Sequence, residues 1–491
     1  MRASGILLPV FSLPSPYGIG SFGQSAYAFV DFLRASRQRY WQLLPLGPTS
    51  YGDSPYQSFS TFAGNPYFID PDILKAEGLL TQSEIDAVPW PEDNRFINYS
   101  FLFEHRFPLL QIAYGRFTRS PEYDAFCEAN RGWLPDYALY MALKHENGYA
   151  AWQEWPDALK RREPDALEQA VKRLGHDSGF HQFLQFMFYK QYRALKTYAR
   201  RQGVRLIGDI PIYVAMDSAD TWVHPSLFML DESLTPVSVA GCPPDYFSKT
   251  GQLWGNPLYR WPAHEADAFA WWTERVKAAF GLFDIVRIDH FRGFASYYAI
   301  PFGDRTAQFG AWEQGPGIKL FRTLKEKLGP LNIIAEDLGF LTEDVFRLLR
   351  EARYPGMKVL QFAFDARGES VYLPHRYPRK CVVYTGTHDN ATTREWFADA
   401  SRAERAFAGK YLALSKHEGY SRGFIRGAWA SIADTAIAPM QDFLDLGAEA
   451  RMNTPSTLGT NWRWRMKLCD LSDTLAAEIA EITSRYGRDR F

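Results

Sequence analysis

Residues 283–293 read FDIVRIDHFRG. The apolar residues at their start predict a buried β-strand, yet Arg287 and Asp289 stand two positions apart inside it. Burying an unpaired charge is costly, so a strand that carries two charges needs a reason for them. Side chains alternate between the two faces of a strand, which predicts Phe283, Ile285, Arg287 and Asp289 on one face. The stretch therefore predicts a strand that ends in a charged pair on a single face.

Apolar runs of this kind recur along the chain, each followed by polar or glycine-rich residues and then by a helical pattern. In chain order they are GILLPV (5–10), YWQLLPL (40–46), VRLIGDIPIYV (204–214), FDIVRIDH (283–290), LNIIAEDLG (331–339), MKVLQFAFD (357–365), CVVYTGTHD (381–389) and DTAIAPMQDFL (434–444). Strands that alternate with helices predict parallel βα units. Eight such units predict a (β/α)8 TIM barrel in the α/β class, with catalytic groups at the carboxyl ends of the strands.

The spacing of these runs is uneven. About 160 residues separate the second run from the third, and in most of this interval the apolar residues recur at the spacing of an α-helix. We expect a mostly helical insert at about 66–200 and a second insert, rich in Gly, Pro and aromatic residues, at about 215–280. Residues 1–491 are then a single catalytic barrel with helical and loop insertions and no C-terminal β-sandwich domain.

Composition excludes several classes of partner. The chain has 55 basic and 56 acidic residues and a net charge of −1, without a long basic run, so no nucleic-acid partner is expected. No window approaches the roughly 18 apolar residues of a membrane span, so no membrane partner is expected. The four cysteines lie far apart and form no CxxC pair, which argues against a zinc site and favours a reducing cytoplasm.

Charged side chains recur where the predicted strands end. Four of the runs carry a carboxylate where the predicted strand inside them ends: Asp209, Asp289, Glu336 and Asp389. Arg287 and His388 stand among them. A purely structural network of ion pairs is one interpretation, but a ring of carboxylates at one barrel mouth is typical of a catalytic site.

The carboxylates fit glycoside chemistry better than metal binding, because an arginine among them would compete with a cation. A retaining mechanism needs a protonated acid and an ionised nucleophile. Glu336 suits the acid/base role, since neighbouring carboxylates would raise its pKa. Asp289 suits the nucleophile, since we expect the adjacent Arg287 to lower its pKa. Spacing alone does not rank Asp289 above Asp389 for that role.

Several longer motifs resemble one known family, the amylomaltases or 4-alpha-glucanotransferases, which are related to the alpha-amylases. The similarity covers nearly the whole chain, from GILLPVFSLPSPYGIGSFG to MNTPSTLGTNWRWR. The motifs between these ends are GDSPYQSFSTFAGNPYFIDP (52–71), GDIPIYV (208–214), AGCPPDYFSKTGQLWGNPLYRW (240–261), VRIDHFRG (286–293), IAEDLG (334–339) and TGTHDN (385–390).

The resemblance implies a role for each carboxylate. Asp289 is expected to be the nucleophile, Glu336 the general acid/base and Asp389 the stabiliser of the transition state. The substrate-binding residues that the resemblance implies are Tyr56, Asp209, Arg287, His388, Asp245, Phe247, Trp254, Asp365 and Asn461.

The resemblance also implies the reaction, in which a glycosyl group passes through Asp289 to a sugar 4-hydroxyl with the α configuration retained. The expected partners are α-1,4-glucans and maltooligosaccharides, with glucose as an acceptor, and no metal or other cofactor is expected. An α-1,4-glucan hydrolase on the same scaffold is the main alternative. A sugar-binding protein without activity and a metal-dependent lyase or isomerase are further alternatives.

Residues 243–257, PPDYFSKTGQLWGNP, predict a lid over the site. Prolines stiffen the start of the segment, and Gly251 and Gly255 permit unusual backbone angles. Tyr246, Phe247 and Trp254 offer faces on which a sugar ring can stack. An ordinary surface loop is the alternative interpretation.

Overall fold

Twelve β-strands form two sheets in the residues described by the computed structural model, which are 2–92, 95–244, 249–339, 341–365 and 370–490. In chain order the strands are β1 (Ala3–Leu7), β2 (Tyr40–Gln42), β3 (Arg205–Ile210), β4 (Ser238–Cys242), β5 (Gln252–Pro257), β6 (Ile285–Ile288), β7 (Ser296–Pro301), β8 (Ala311–Gln314), β9 (Ile333–Ala335), β10 (Gly356–Val359), β11 (Cys381–Tyr384) and β12 (Thr435–Pro439).

The larger sheet contains eight strands in the order β10-β11-β12-β1-β2-β3-β6-β9, and every paired strand in it is parallel. Its two outer strands also meet, because the Ala335 amide donates a hydrogen bond of 2.9 Å to the carbonyl of Pro355, the residue before β10. The sheet thus forms a barrel of eight parallel strands. Each strand lies within or overlaps one of the eight predicted runs, and the predicted TIM barrel is confirmed.

Several predicted runs extend beyond their strands. β10 ends at Val359 and a 3-10 helix follows, whereas β12 ends at Pro439 and passes directly into an α-helix. β11 ends at Tyr384, so Asp389 lies in the loop after the strand and not at its last residue. A continuous apolar run cannot distinguish a buried strand from a buried helical turn, which explains the excess length.

The barrel interior confirms most of the predicted alternation of faces. Its core consists of Leu7, Ile207, Ile334, Met357, Val382, Tyr384 and Ile437, with Ile285 packed against it. Phe283 was expected on the same face as Ile285, but it belongs to the larger cluster outside the barrel. It precedes the first residue of β6, and its ring packs edge-on to Tyr192, with ring centroids 6.5 Å apart. Strand alternation therefore does not apply to it.

Gly208 in β3 lets this ring approach the barrel wall. A methyl group at Gly208 would lie 2.0 Å from a ring carbon of Phe283. We expect Gly208→Ala to lower the free energy of unfolding by roughly 1–3 kcal/mol, because an overpacked core must shift to relieve the clash. Urea denaturation measures this change.

Gly409 provides the matched control, because a methyl group there would meet no atom within 4 Å. Gly409 lies inside a helix, so Gly409→Ala should raise stability by roughly 0.5–1 kcal/mol. Equal effects of the two substitutions would contradict the packing of Phe283 on Gly208.

The helices account for most of the remaining described residues. The α-helices are α1 (Gln24–Ala35), α2 (Pro71–Ala76), α3 (Gln82–Asp86), α4 (Tyr99–Arg116), α5 (Pro121–Ala129), α6 (Leu134–Glu146), α7 (Asp157–Lys160), α8 (Pro164–Arg173), α9 (Gly175–Arg201), α10 (Ala219–Val223), α11 (Trp261–Ala266), α12 (Ala270–Leu282), α13 (Ile318–Leu328), α14 (Glu343–Ala352), α15 (Thr393–Asp399), α16 (Arg402–Tyr411), α17 (Tyr420–Ala430), α18 (Met440–Phe443) and α19 (Asp473–Arg485). The 3-10 helices are Val10–Ser12, Tyr51–Asp53, Pro66–Phe68, Trp152–Glu154, Pro225–Leu227, Phe291–Phe294, Leu360–Phe364, Pro374–Arg376, Ala448–Ala450 and Leu468–Asp470.

Helices α2 to α9 all lie between β2 and β3. The division of the chain into one catalytic domain with two inserts stays a prediction. After β12, the described residues contain α18 and α19 and no further strand. No described helix combines the length and the apolar character that crossing a membrane requires.

The smaller sheet was not predicted. It is antiparallel, in the order β5-β4-β7-β8, and its first two strands belong to the second predicted insert. β5 takes up residues 252–257 of the predicted lid, so this part of the segment is a strand and not a loop. β7 is buried on both faces through most of its length, and such a strand lacks the alternation that reveals a half-buried one.

Candidate active site

Arg287 lies at the carboxyl end of β6, inside the barrel, and contacts two carboxylates. Its Nη1 atom is 2.5 Å from Oδ2 of Asp209, the cross-strand neighbour on β3, and 3.0 Å from Oδ1 of Asp289. The side chains of Arg287 and Asp209 are almost fully buried, whereas that of Asp289 is 28% exposed. Asp209 therefore anchors the guanidinium, and Asp289 is the more exposed of the two carboxylates that Arg287 contacts.

Glu336 follows β9 directly and is held by two backbone amides. Its Oε2 atom accepts a hydrogen bond of 2.8 Å from the His290 amide, and its Oε1 atom accepts one of 2.8 Å from the Leu338 amide. Burial raises the pKa of Glu336 to about 8, and the negative charge of Asp289 adds to the effect. Glu336 is thus a carboxylic acid that keeps its proton at neutral pH.

Arg287 acts on Asp289 in the expected direction, since its charge lowers the pKa of Asp289, but the net shift of that pKa is upward. Burial raises the pKa of Asp289 to about 6, because the guanidinium only partly opposes it. The positive charge is shared with Asp209, whose own charge also raises the pKa of Asp289. The pKa of Asp289 still lies below that of Glu336, so Asp289 loses its proton first.

Asp389 and His388 lie in the loop between β11 and α15. The loop is tightened by Asn390, whose Oδ1 atom accepts hydrogen bonds from the Thr387 amide and hydroxyl at 2.9 Å and 2.8 Å. Asp389 Oδ2 is 3.3 Å from His388 Nε2, and its Oδ1 accepts a hydrogen bond of 2.7 Å from Asn453 Nδ2. Burial alone would raise the pKa of Asp389, but His388 and Asn453 hold it well below its usual range. Asp389 is therefore an ionised carboxylate.

Three rings form one wall of the site. Tyr56 and His388 stack with centroids 5.2 Å apart and planes at 16°, and Trp462 lies 5.8 Å from Tyr56 and 5.9 Å from His388. The Tyr56 hydroxyl donates a hydrogen bond of 2.9 Å to Asp209 Oδ2. Burial raises the pKa of Tyr56 well above its usual range, so the phenol remains a hydrogen-bond donor.

Trp254 belongs to β5 and packs edge-on to His290, with ring centroids 4.7 Å apart. The amide of this histidine is the one that donates to Glu336. His290 adopts the left-handed backbone conformation, with φ of 50°, which few residues other than glycine favour. Trp254 thereby places the second sheet beside Glu336. The other predicted lid contacts, Asp245, Tyr246 and Phe247, lie outside the described residues.

Asp365 and Asn461, the remaining two predicted substrate-binding residues, have none of the described contacts with the carboxylates of the site. Asp365 is half-buried directly after the 3-10 helix Leu360–Phe364. Asn461 uses its side chain within its own loop, where Oδ1 accepts from the Thr454 amide at 3.0 Å and Nδ2 donates to the Thr457 carbonyl at 2.8 Å. Contacts of Asp365 and Asn461 with a substrate stay predictions.

Sequence reasoning missed two side chains of the site, Asn453 and Trp462. Both belong to MNTPSTLGTNWRWR, which was noticed as a motif without a role for either residue. Asn453 is 64 positions from Asp389, and no local pattern indicates that the two side chains meet. Among the described residues, no group of three or more His, Cys, Asp or Glu side chains is arranged to hold a metal ion.

Comparisons of the sequence and of the structure with known proteins all match one family. The family described as 4-alpha-glucanotransferase matches residues 8–471. A 4-alpha-glucanotransferase from Clostridium butyricum is 48% identical over 98% of this chain and 99% of its own length. One from Thermus thermophilus is 46% identical over 99% of both chains. The solved structure of the amylomaltase from Streptococcus agalactiae in complex with acarbose superposes with a TM-score of 0.97 at 43% identity, covering 99% of this chain and all of the other.

Proposed function

The chain belongs to the 4-alpha-glucanotransferase family, and on that premise we propose a role in the transfer reaction for each carboxylate of its site. Asp289 is the nucleophile, Glu336 is the general acid and base, and Asp389 stabilises the transition state. The observation that carries this assignment is the difference between two neighbouring carboxyl groups. Asp289 pairs with Arg287 and loses its proton first, whereas Glu336 keeps its proton at neutral pH.

In the first step a carboxylate oxygen of Asp289 attacks the anomeric carbon of an α-linked glucosyl unit. The bond from that carbon to the glycosidic oxygen breaks, and Glu336 gives its proton to this oxygen, which leaves as the 4-hydroxyl of the departing sugar. The product is a β-linked glycosyl ester on Asp289. The charge of Asp389 opposes the positive charge that develops on the sugar ring in the transition state.

In the second step Glu336 acts as a base. Esterification removes the charge of Asp289, and that charge is one cause of the raised pKa of Glu336. The pKa of Glu336 therefore falls in the intermediate, which suits a group that must now accept a proton. The 4-hydroxyl of an acceptor sugar attacks the anomeric carbon, its proton passes to Glu336, and the ester bond to Asp289 breaks. Two inversions restore the α configuration.

The substrates that we propose are α-1,4-glucans and maltooligosaccharides, with glucose as an acceptor. Tyr56, Asp209, Arg287 and His388 surround the nucleophile, and Trp254 offers an aromatic face beside Glu336. Support also comes from the solved amylomaltase at 43% identity, whose complex contains acarbose. Asp245, Phe247, Asp365 and Asn461 complete the proposed set of contacts.

The domain organisation and the cellular location are two further proposals. We propose that the chain is one catalytic domain, because helices α2 to α9 and all four strands of the second sheet lie in the sequence between strands of the barrel. We also propose a cytoplasmic location, since the thiols of Cys127, Cys381 and Cys469 form no disulfide.

Incubation with maltotriose in ¹⁸O-labelled water separates transfer from hydrolysis. Transfer should give glucose and a ladder of oligomers longer than the substrate, without ¹⁸O in the ladder, because the acceptor hydroxyl supplies the oxygen. Glucose and maltose with no longer product, and with ¹⁸O on the fragment that had been bound to the enzyme, would overturn the proposal and favour an α-1,4-glucan hydrolase.

The dependence of kcat/KM on pH should be bell-shaped, with its maximum between about pH 6 and 8. On the acidic side activity falls because Asp289, whose pKa is raised to about 6, becomes protonated and cannot attack. On the alkaline side activity falls because Glu336, whose pKa is raised to about 8, loses the proton that the leaving group needs. Initial rates at low maltotriose concentration measure this profile. A rate that stays constant up to pH 10 would contradict the role of Glu336.

A further inference from the structure

The segment from Met452 to Trp462 follows α18 and carries Asn453 to the catalytic carboxylates. The side-chain nitrogen Nδ2 of Asn453 donates a hydrogen bond of 2.7 Å to Asp389 Oδ1. We propose that Asn453 is a positioning residue for the transfer reaction, which holds Asp389 in the orientation that stabilises the transition state. The inference rests on the role proposed above for Asp389.

Asn453 is itself fixed through its main chain. Its carbonyl accepts a hydrogen bond of 3.0 Å from Arg451 Nε, and the Met452 carbonyl accepts one of 2.8 Å from the Trp462 amide. The second bond closes the base of the segment from 452 to 462, so that the backbone on either side of Asn453 is constrained. The amide group therefore reaches Asp389 in one orientation without losing much side-chain freedom.

Arg451 connects this arrangement to the loop that carries Asp389. Its Nη1 atom is 3.2 Å from Glu395 Oε1, and its Nη2 atom donates to the main-chain carbonyl of Asp389 at 3.4 Å. Glu395 also caps α15, where its Oε2 atom accepts a hydrogen bond from the Thr392 amide. The side chain of Asp389 is thus held by Asn453 of this segment, and its main chain is held by Arg451, the residue immediately before the segment.

The donor to Oδ1 is an amide, which does not titrate, whereas the other groups around Asp389 are titratable. Those groups are His388 at 3.3 Å, the guanidinium of Arg287, the carboxylate of Asp289 and the phenol of Tyr56. Within Asp389, the guanidinium of Arg451 contacts the main-chain oxygen and not the carboxylate, in the contacts that the structure describes. An amide orients the carboxylate without neutralising its charge, which the developing oxocarbenium ion requires.

Replacement of Asn453 with Ala is expected to lower kcat for maltotriose disproportionation roughly 10- to 100-fold, the effect of losing one charge-assisted hydrogen bond. Asp389→Asn should lower kcat more, on the order of 10³-fold. In the double variant the loss should be close to that of Asp389→Asn alone, because Asn453 acts through Asp389. Fully additive losses would overturn the inference.

Asn453→Asp gives a readout that a merely structural role would not move. At high pH two carboxylates face each other, whereas at low pH a shared proton restores a donor between them. The ratio of kcat/KM for Asn453→Asp to that of the wild type should therefore fall as pH rises. The same ratio for Asn453→Ala should stay constant, since alanine does not titrate. Parallel ratios for the two variants would overturn the inference.

Thr457→Val is the matched control within the same segment. It removes two exposed hydrogen bonds of the Thr457 hydroxyl, the one of 2.7 Å that it donates to the Thr454 carbonyl and the one of 3.2 Å that it accepts from Asn461 Nδ2. Asn461 keeps its bond of 2.8 Å to the Thr457 carbonyl, and Asn453 is left in place. It should retain the wild-type rate to within about threefold, a change of less than about 1 kcal/mol. A loss equal to that of Asn453→Ala would assign the effect to loosening of the loop and overturn the inference.

Asp389→Asn separates failure of the inference from failure of the proposed function. If Asp389→Asn is fully active, the role proposed for Asp389 falls and the inference falls with it. If Asp389→Asn loses activity and Asn453→Ala does not, only the inference is overturned.

Discussion

Asp289→Asn should abolish transfer, with a loss in kcat on the order of 10³-fold or more, the scale seen when a catalytic nucleophile is removed. An amide oxygen is a far weaker nucleophile than a carboxylate, so no glycosyl ester forms. The fold should survive, because Arg287 keeps its buried partner Asp209 at 2.5 Å. The release of glucose from maltotriose measures the rate, and thermal unfolding checks the fold.

Asp473→Asn serves as a control for the chemistry of the substitution. Asp473 is exposed at the first position of α19, and the same change there should leave activity at the wild-type level. If Asp289→Asn retained a tenth or more of the wild-type rate, a sugar-binding protein with incidental activity or a different nucleophile would be favoured.

Glu336→Gln should lower transfer from maltotriose roughly 10²- to 10⁴-fold, the contribution expected of a general acid. Its effect should depend on the leaving group. Fluoride departs without a proton, so formation of the glycosyl ester from α-glucosyl fluoride should stay close to the wild-type rate. A burst of fluoride measured by stopped flow or an ion-selective electrode would show this step.

A complication of this variant is its hydrogen bonding. Both carboxyl oxygens of Glu336 accept hydrogen bonds from backbone amides. In the glutamine variant the side-chain NH₂ group replaces one of these acceptors, so two hydrogen-bond donors face each other. A site disordered by this mismatch would lose activity on both substrates alike. Equal losses on maltotriose and α-glucosyl fluoride, with an unchanged melting temperature, would therefore contradict the acid role of Glu336.

Much of the fold could be predicted from the sequence because its eight barrel strands are short apolar runs between helical segments. The second sheet was missed because β7 is buried on both faces and so carries no alternating pattern. The position of Phe283 was missed because alternation of faces holds only inside a strand, and β6 begins at Ile285. Both failures concern tertiary packing that a single run of residues does not reveal.

For the site, the carboxylates at the strand ends were found because a charge is conspicuous in an apolar run. The sequence pattern did not show which aspartate is the nucleophile, since Asp289 and Asp389 are the same residue type in similar sequence surroundings. The net direction of the Asp289 pKa was missed because burial is a property of the whole barrel, and it outweighs the neighbouring Arg287. Asn453 was missed because 64 positions separate it from the side chain that it contacts.

The most direct test of the covalent mechanism is to locate the glycosyl group after Glu336→Gln has reacted with α-glucosyl fluoride. Trypsin cleaves after Arg287 and Arg292, and the released peptide, IDHFR, contains Asp289 as its only side-chain carboxylate. The structure predicts that mass spectrometry finds one glucosyl group on this peptide. A glucosyl group on the peptide from 381 to 394, which contains Asp389, would contradict the assignment of Asp289 as the nucleophile.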